Sequence, residues 1–126
     1  MMGQCLCGAV RFSARPVDGQ VVACHCGQCR KWSGHYGAAF LAGDLLIEDA
    51  RHLRWFASSP NAQRGFCDNC GSSLFWRTDG RDEVAVSGGA MDMPTGLQMT
   101  GHIHVADKGD YYPMPDDLPE LPVDDN

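Results

Sequence analysis

Cys24-His-Cys-Gly-Gln-Cys29, followed by Arg30, Lys31 and Trp32, places three thiols and an imidazole within six residues. An ordinary core has no need of so many soft donors at one point. Two further cysteine pairs flank this stretch, Cys5-Leu-Cys7 upstream and Cys67-Asp-Asn-Cys70 downstream. Zinc sites favour thiolates two or three positions apart, because such turns aim both sulfurs at one point about 2.3 Å away. A closed structural site takes four protein ligands, whereas a catalytic site usually takes three and keeps one position for water or substrate. The compact triplet Cys24, Cys26 and Cys29 forms one unit, so Cys5, Cys7, Cys67 and Cys70 must combine as the other. The seven thiols divide into four and three, with function expected at the three.

Seven is an odd number, so a disulfide framework would strand one thiol, and such close spacings read as metal ligation in a reducing compartment. Zinc is expected over an iron–sulfur cluster, since no four-cysteine run of ferredoxin spacing occurs. His25 lies between two ligands, so its side chain should point away from the metal. His35, His102 or His104 could close the triplet by tertiary contact, which would make it a second structural site, while His52 reads as a surface residue. If the fourth position stays open, a dication with three thiolates carries a formal charge of −1. Such a centre is a modest Lewis acid but a good soft match for an incoming thiol, which it would present as thiolate at neutral pH. The chemistry points to a thiol substrate.

The rest of the composition narrows the class. No apolar run approaches the roughly 18 residues of a membrane span. The N-terminus Met1-Met-Gly-Gln-Cys5 has no basic and apolar leader, so a cytoplasmic location is expected. The net charge is −6, but five of the sixteen acids lie in residues 113–126, a segment with no Lys or Arg. In the remainder, ten Lys and Arg nearly balance the other acids. Nothing here is the basic footprint of a nucleic-acid binder.

Turn residues separate short alternating stretches along the chain. Ala9–Ala14, Gln20–Ala23, Tyr36–Leu41, Leu45–Glu48, Leu53–Phe56, Ser73–Arg77, Glu83–Ser87 and His102–Val105 are expected strands. Arg30–Ser33 is expected to form one helical turn ended by Gly34. Gly8 and Gly71 follow their cysteines as the turn residues of metal knuckles. The last 14 residues hold four prolines and five acids, so they read as an extended tail draped over the body. The expected fold is mostly β, with small antiparallel sheets and little helix. One zinc-binding β domain should cover residues 1–112, followed by an acidic, Pro-rich tail over 113–126.

The set Cys5-Leu-Cys-Gly8, Cys24-His-Cys-Gly-Gln-Cys-Arg30, Phe66-Cys-Asp-Asn-Cys-Gly-Ser72 and His102-Ile-His-Val105…Asp117-Leu-Pro119 resembles the glutathione-dependent formaldehyde-activating enzyme family, in order and over almost the whole chain. The resemblance implies a β-tent fold with a zinc-ribbon-like element and two zinc ions per chain. The structural zinc would sit on Cys5, Cys7, Cys67 and Cys70, and the catalytic zinc on Cys24, Cys26 and Cys29. It also implies a carbon–sulfur lyase that condenses glutathione with formaldehyde to S-(hydroxymethyl)glutathione, or that acts on a related thiol adduct. His25, His35 and Tyr36 are candidate proton donors, and Arg30 or Lys31 a candidate partner for a glutathione carboxylate. Trp32 reads as a packing residue. The family commonly carries a Trp ahead of its closing Asp-Leu-Pro, where this chain has Tyr111-Tyr112. The competing functions are a zinc-stabilised binding module and a redox or metal-responsive protein.

Overall fold

The computed structural model describes residues 1–123, so the end of the expected tail, residues 124–126, lies outside the described residues. The strands are β1 (Met2–Gln4), β2 (Arg11–Pro16), β3 (Gln20–Cys24), β4 (Gly37–Asp49), β5 (Leu53–Ser59), β6 (Ala62–Cys67), β7 (Ser73–Thr78), β8 (Val84–Ser87) and β9 (Gln98–Ile103). One helix, α1 (Gly27–Ser33), lies between β3 and β4. The fold is mostly β, as the alternating pattern implies. The strands join in one sheet, ordered β1-β2-β4-β8-β7-β6-β5, with β3 paired to β4 and to β9. All these pairings are antiparallel except β3–β9.

The long strand β4 organises the sheet. Its first residues pair with β3 and its later ones with β2, so β2 and β3 lie end to end along one edge, while β8 takes the other. Phe12, Phe40, Leu74 and Val86 are fully buried on the inner face, and Phe12 meets Phe75 edge-on at 4.8 Å. Such packing of alternating apolar residues is what stabilises a sheet with one wet face.

Three expectations of local structure are corrected. First, β2 starts at Arg11 rather than Ala9, because the preceding residues belong to the cysteine knuckle. There Gly8 adopts φ +80°, and the Val10 N–H donates to Cys5 Sγ at 3.2 Å. Secondly, the expected strands Tyr36–Leu41 and Leu45–Glu48 merge into one strand, β4, which starts at Gly37. Gly43-Asp44 does not break it but forms a bulge opposite Arg15, with Asp44 at φ +49° and its carboxylate accepting from Arg15 Nε at 2.8 Å. Thirdly, the last strand runs from Gln98 to Ile103 instead of His102–Val105, because His104 takes a left-handed conformation that turns the chain into a short 3₁₀ helix.

The described part of the C-terminal segment lies against β9. The His102 N–H donates to the Pro119 carbonyl at 2.9 Å, and the Leu121 N–H to the His102 carbonyl at 2.7 Å. This close approach requires Gly101, since a Cβ there would fall 2.6 Å from Leu121 Cδ1 and 2.8 Å from the Pro119 carbonyl oxygen. Gly101→Ala should displace the segment or strain β9. We expect a stability loss of about 1–3 kcal/mol, the usual cost of overpacking, in urea denaturation. An unchanged midpoint would show that the segment contributes nothing to the fold.

Candidate metal centres

Each cysteine is delivered by a local device. Strand β3 ends on Cys24, and Cys26 is the N-cap of α1, with its Sγ accepting the Cys29 N–H at 3.2 Å. The helix begins at Gly27, three residues before the expected turn, because a sulfur can serve as cap acceptor. Gly34 closes it in the left-handed conformation with φ +79°. The Sγ atoms of Cys24, Cys26 and Cys29 lie within 4.8 Å of one another. At the other site the knuckle before β2 supplies Cys5 and Cys7, and the end of β6 and the turn after it supply Cys67 and Cys70, again with all sulfurs within 4.8 Å. The four-and-three division is thus present in space. All seven thiols are free of disulfides.

Both groups fit zinc by the chemistry and spacing of their donors. Tetrahedral ligands about 2.3 Å from zinc stand about 3.8 Å apart. Cys5 and Cys7 Sγ are 3.6 Å apart, and Cys7 and Cys67 Sγ 3.8 Å. Neutral donors surround the four-thiol group: Asn69 Nδ2 donates to Cys7 Sγ at 3.3 Å, and Ser72 Oγ lies 3.2 Å from Cys70 Sγ. The Ser72 hydroxyl pulls the Cys70 thiol down to about 5. In the triplet, hydrogen bonds from Cys24 and Cys29 pull Cys26 far below the usual thiol range, and the same contacts push Cys24 far above it. A divalent ion at this point would take all three sulfurs as thiolates.

The triplet faces a cavity of about 600 Å³, a size suited to a small-molecule ligand. Gln28 and Arg64 line it beside the thiols, with apolar wall from Phe40, Phe75 and Trp76. Arg64 is the main residue that sequence reasoning missed. It is only 9% exposed, its Nε donates to Gln28 Oε1 at 2.8 Å, and its Nη2 lies 3.5 Å from Cys29 Sγ.

The histidines divide differently from the candidate roles. His25 points away from the thiols, as expected, and is fully buried. Its Nδ1 is 2.7 Å from the Tyr112 hydroxyl and its Nε2 is 2.9 Å from His102 Nδ1, while His102 Nε2 lies 2.8 Å from Asp116 Oδ1. An ionised carboxylate only accepts, so with one proton per ring every hydrogen bond runs the same way, from Tyr112 through His25 and His102 to Asp116. Both ring nitrogens of His25 and His102 are therefore engaged away from the metal. Burial, and after it the neighbouring His102, pushes His25 below the usual histidine range. His35 Nδ1 lies 2.7 Å from the Tyr111 hydroxyl, and among the described residues no histidine joins the three thiols. His25, His35 and Tyr36 do not line the cavity, whereas His104 does. Arg30 and Lys31 do not line it either, and among the described residues Arg30 Nε is buried without a hydrogen-bond partner. Trp32 packs, stacking on Phe56 at 5.9 Å and donating to Ser73 Oγ at 2.6 Å.

A β protein with one four-thiol group that brings the N-terminus to mid-chain, and one three-thiol group open to a cavity, defines a scaffold with two candidate metal centres. The chain belongs to the glutathione-dependent formaldehyde-activating enzyme family, whose profile matches residues 1–107. It is 26% identical over 125 residues to an uncharacterised lyase of Schizosaccharomyces pombe, covering 98% of this chain and 91% of that one. It is 38% identical over 90 residues to a Halomonas elongata protein provisionally named a glutathione-dependent formaldehyde-activating enzyme, covering 63% of this chain and 56% of that one. A crystal structure of a Rhodobacter sphaeroides protein shares the fold, with a TM-score of 0.68 at 24% identity over 81% of this chain and 99% of that one. Among the described residues no helix is long and apolar enough to cross a membrane.

The Tyr112–Asp116 chain carries a pH prediction. The hydrogen bond from His102, and after it the Leu118 N–H, holds the Asp116 carboxyl below the usual carboxylate range. A carboxylate with a depressed folded pKa stabilises the fold above its unfolded pKa and loses that contribution as pH falls through the folded value. Asp116→Asn should therefore lower the urea midpoint at neutral pH, and the gap to wild type should close below about pH 4. A gap that stays constant with pH would contradict an ionised Asp116 at the end of the chain.

Proposed function

We propose that the protein is a zinc-dependent carbon–sulfur lyase of the formaldehyde-activating type, joining glutathione and formaldehyde as S-(hydroxymethyl)glutathione and cleaving that adduct in reverse. The observation that carries this reading is the three-thiol group open to the cavity, beside a separate four-thiol group. Cys24, Cys26 and Cys29 would hold the catalytic zinc, and Cys5, Cys7, Cys67 and Cys70 the structural one. When bound at the triplet, zinc would lower the pKa of a thiol and hold it as thiolate. In the forward direction a sulfur–carbon bond forms, the carbonyl π bond breaks, and the thiol proton ends on the new hydroxyl oxygen.

The chain's own residues supply the rest. The apolar walls formed by β4 and β7 shield the reacting sulfur from water, which strengthens every polar contact inside. Gln28 and the thiol triplet lie on the same stretch of backbone, so their spacing is fixed by the start of α1. His104 is the histidine on the cavity wall, and we assign it to deliver the proton to the developing alkoxide. The small soluble partners are then a thiol peptide and an aldehyde.

Exchange spectroscopy on glutathione mixed with formaldehyde tests this directly. Zinc-loaded protein at micromolar concentration should accelerate exchange between free glutathione and the adduct. Cys26→Ala should abolish that acceleration with the fold retained, whereas Cys67→Ala should lower stability and soluble yield. His104→Gln should slow exchange by about 10²–10⁴-fold. No acceleration by the wild-type chain would rule out the formaldehyde role, and equal unfolding of both cysteine variants would rule out the separation of structural and catalytic thiols.

A further inference from the structure

Arg64 stands in the middle of β6, between Phe56 of β5 and Trp76 of β7. A lone arginine on a strand normally reaches solvent, but this one is buried and runs toward the start of α1. Its polar partners are the Gln28 amide oxygen and Cys29 Sγ, and its guanidinium lies 5.9 Å from the Trp32 ring. Among the described residues none of its hydrogen-bond partners is a carboxylate. A guanidinium taken out of water pays a heavy desolvation penalty unless an anion faces it, and it remains protonated throughout the ordinary pH range. The amide oxygen is neutral, so the anion must come from the sulfurs.

The two thiol groups differ in this respect. The four-thiol group is solvated at Cys7 and receives hydrogen bonds from neutral donors. The triplet faces a largely apolar cavity, where a dication with three thiolates would keep a net charge of −1. One guanidinium brings that assembly to neutrality. Its position is held by Gln28, two residues from Cys26 and next to Cys29.

We infer that Arg64 is the counter-charge of the three-thiol centre: its guanidinium neutralises the thiolate set through Cys29 and governs how tightly the triplet holds its cation. Arg64 is thus a positioning residue that acts through Cys29, and Gln28 orients it. The inference rests on the metal-holding part of the function proposed above and is independent of the substrate.

The test uses the full chain loaded with zinc and a colorimetric chelator. The release phase missing in Cys26→Ala identifies the triplet, and the remaining phase, from the four-thiol group, is an internal control. In Arg64→Met the triplet phase should move to roughly 10- to 100-fold weaker binding, as for lost partners of metal ligands elsewhere, with the control phase unchanged. Arg64→Lys should recover most of the difference, because it keeps the charge. Cobalt-loaded protein gives a second readout: the sulfur-to-cobalt charge-transfer band of the triplet should shift to lower energy in Arg64→Met, where the thiolate loses its hydrogen bond. If Arg64→Met does not fold, Gln28→Ala should weaken the same phase several-fold by freeing the guanidinium. An unchanged triplet phase, equal weakening of both phases, or Arg64→Lys behaving like Arg64→Met would overturn the inference. A wild-type chain that holds metal only at the four-thiol group would overturn the underlying reading and this inference together, whereas two bound metals with a triplet indifferent to Arg64 would overturn the inference alone.

Discussion

Sulfurs crowded within 4.8 Å of one another are the constraint on which this fold depends. Thiolates at that distance repel, and thiols at that distance gain little from weak hydrogen bonds. A dication among them reverses the sign of the interaction and turns it into a cross-link. An ion held by Cys5, Cys7, Cys67 and Cys70 would close a loop of about 60 residues and fix the N-terminal knuckle beside the β6–β7 turn. The Leu6 N–H donating to Ser72 Oγ at 2.9 Å clips the same two turns together.

The second thiol group sits where three elements meet. Strand β3 ends at Cys24, α1 starts from Cys26, and the parallel strand β9 places Ile103 opposite Cys24. The His25 N–H donates to the Ile103 carbonyl at 3.0 Å, so the thiol segment is anchored through its backbone on one side. On the far side the His25 ring is held by Tyr112 and His102. The segment therefore presents sulfurs to the cavity and an imidazole to the buried chain that ends on Asp116. That alternation of Cys, His and Cys is the local reason the two environments do not mix. A preformed donor set of this kind needs no rearrangement to accept an exchangeable fourth ligand, which is what the proposed chemistry asks of it.

Much of this was legible in the sequence, and the reason is chemical. Cysteine spacing encodes ligand geometry directly, so the division into four and three follows from seven residues without any knowledge of the sheet. The β class likewise follows from period-two alternation between turn residues. The errors fall where a tertiary contact changes a local reading. Gly43-Asp44 looks like a turn, but β2 and Arg15 hold it as a bulge inside β4. Gly27-Gln28 looks like a loop, but the Cys26 sulfur caps it as the first turn of a helix. Arg64 lies in Gln63–Phe66, a stretch without apolar alternation, and only the folded sheet brings it to Cys29. The partners in the Tyr112–His25–His102–Asp116 chain come from three distant parts of the sequence, so no spacing announces them.

The central claim is that the two thiol groups are distinct metal centres, one closed and one open. X-ray absorption at the zinc edge of the loaded wild-type chain, with zinc counted per chain, tests it most directly. Two zinc ions per chain are expected, with an average over both sites of about 3.5 sulfurs and half a lighter ligand per zinc. A single zinc per chain with four sulfurs, or two zincs with the imidazole scattering of a coordinated histidine, would contradict the open three-thiol centre.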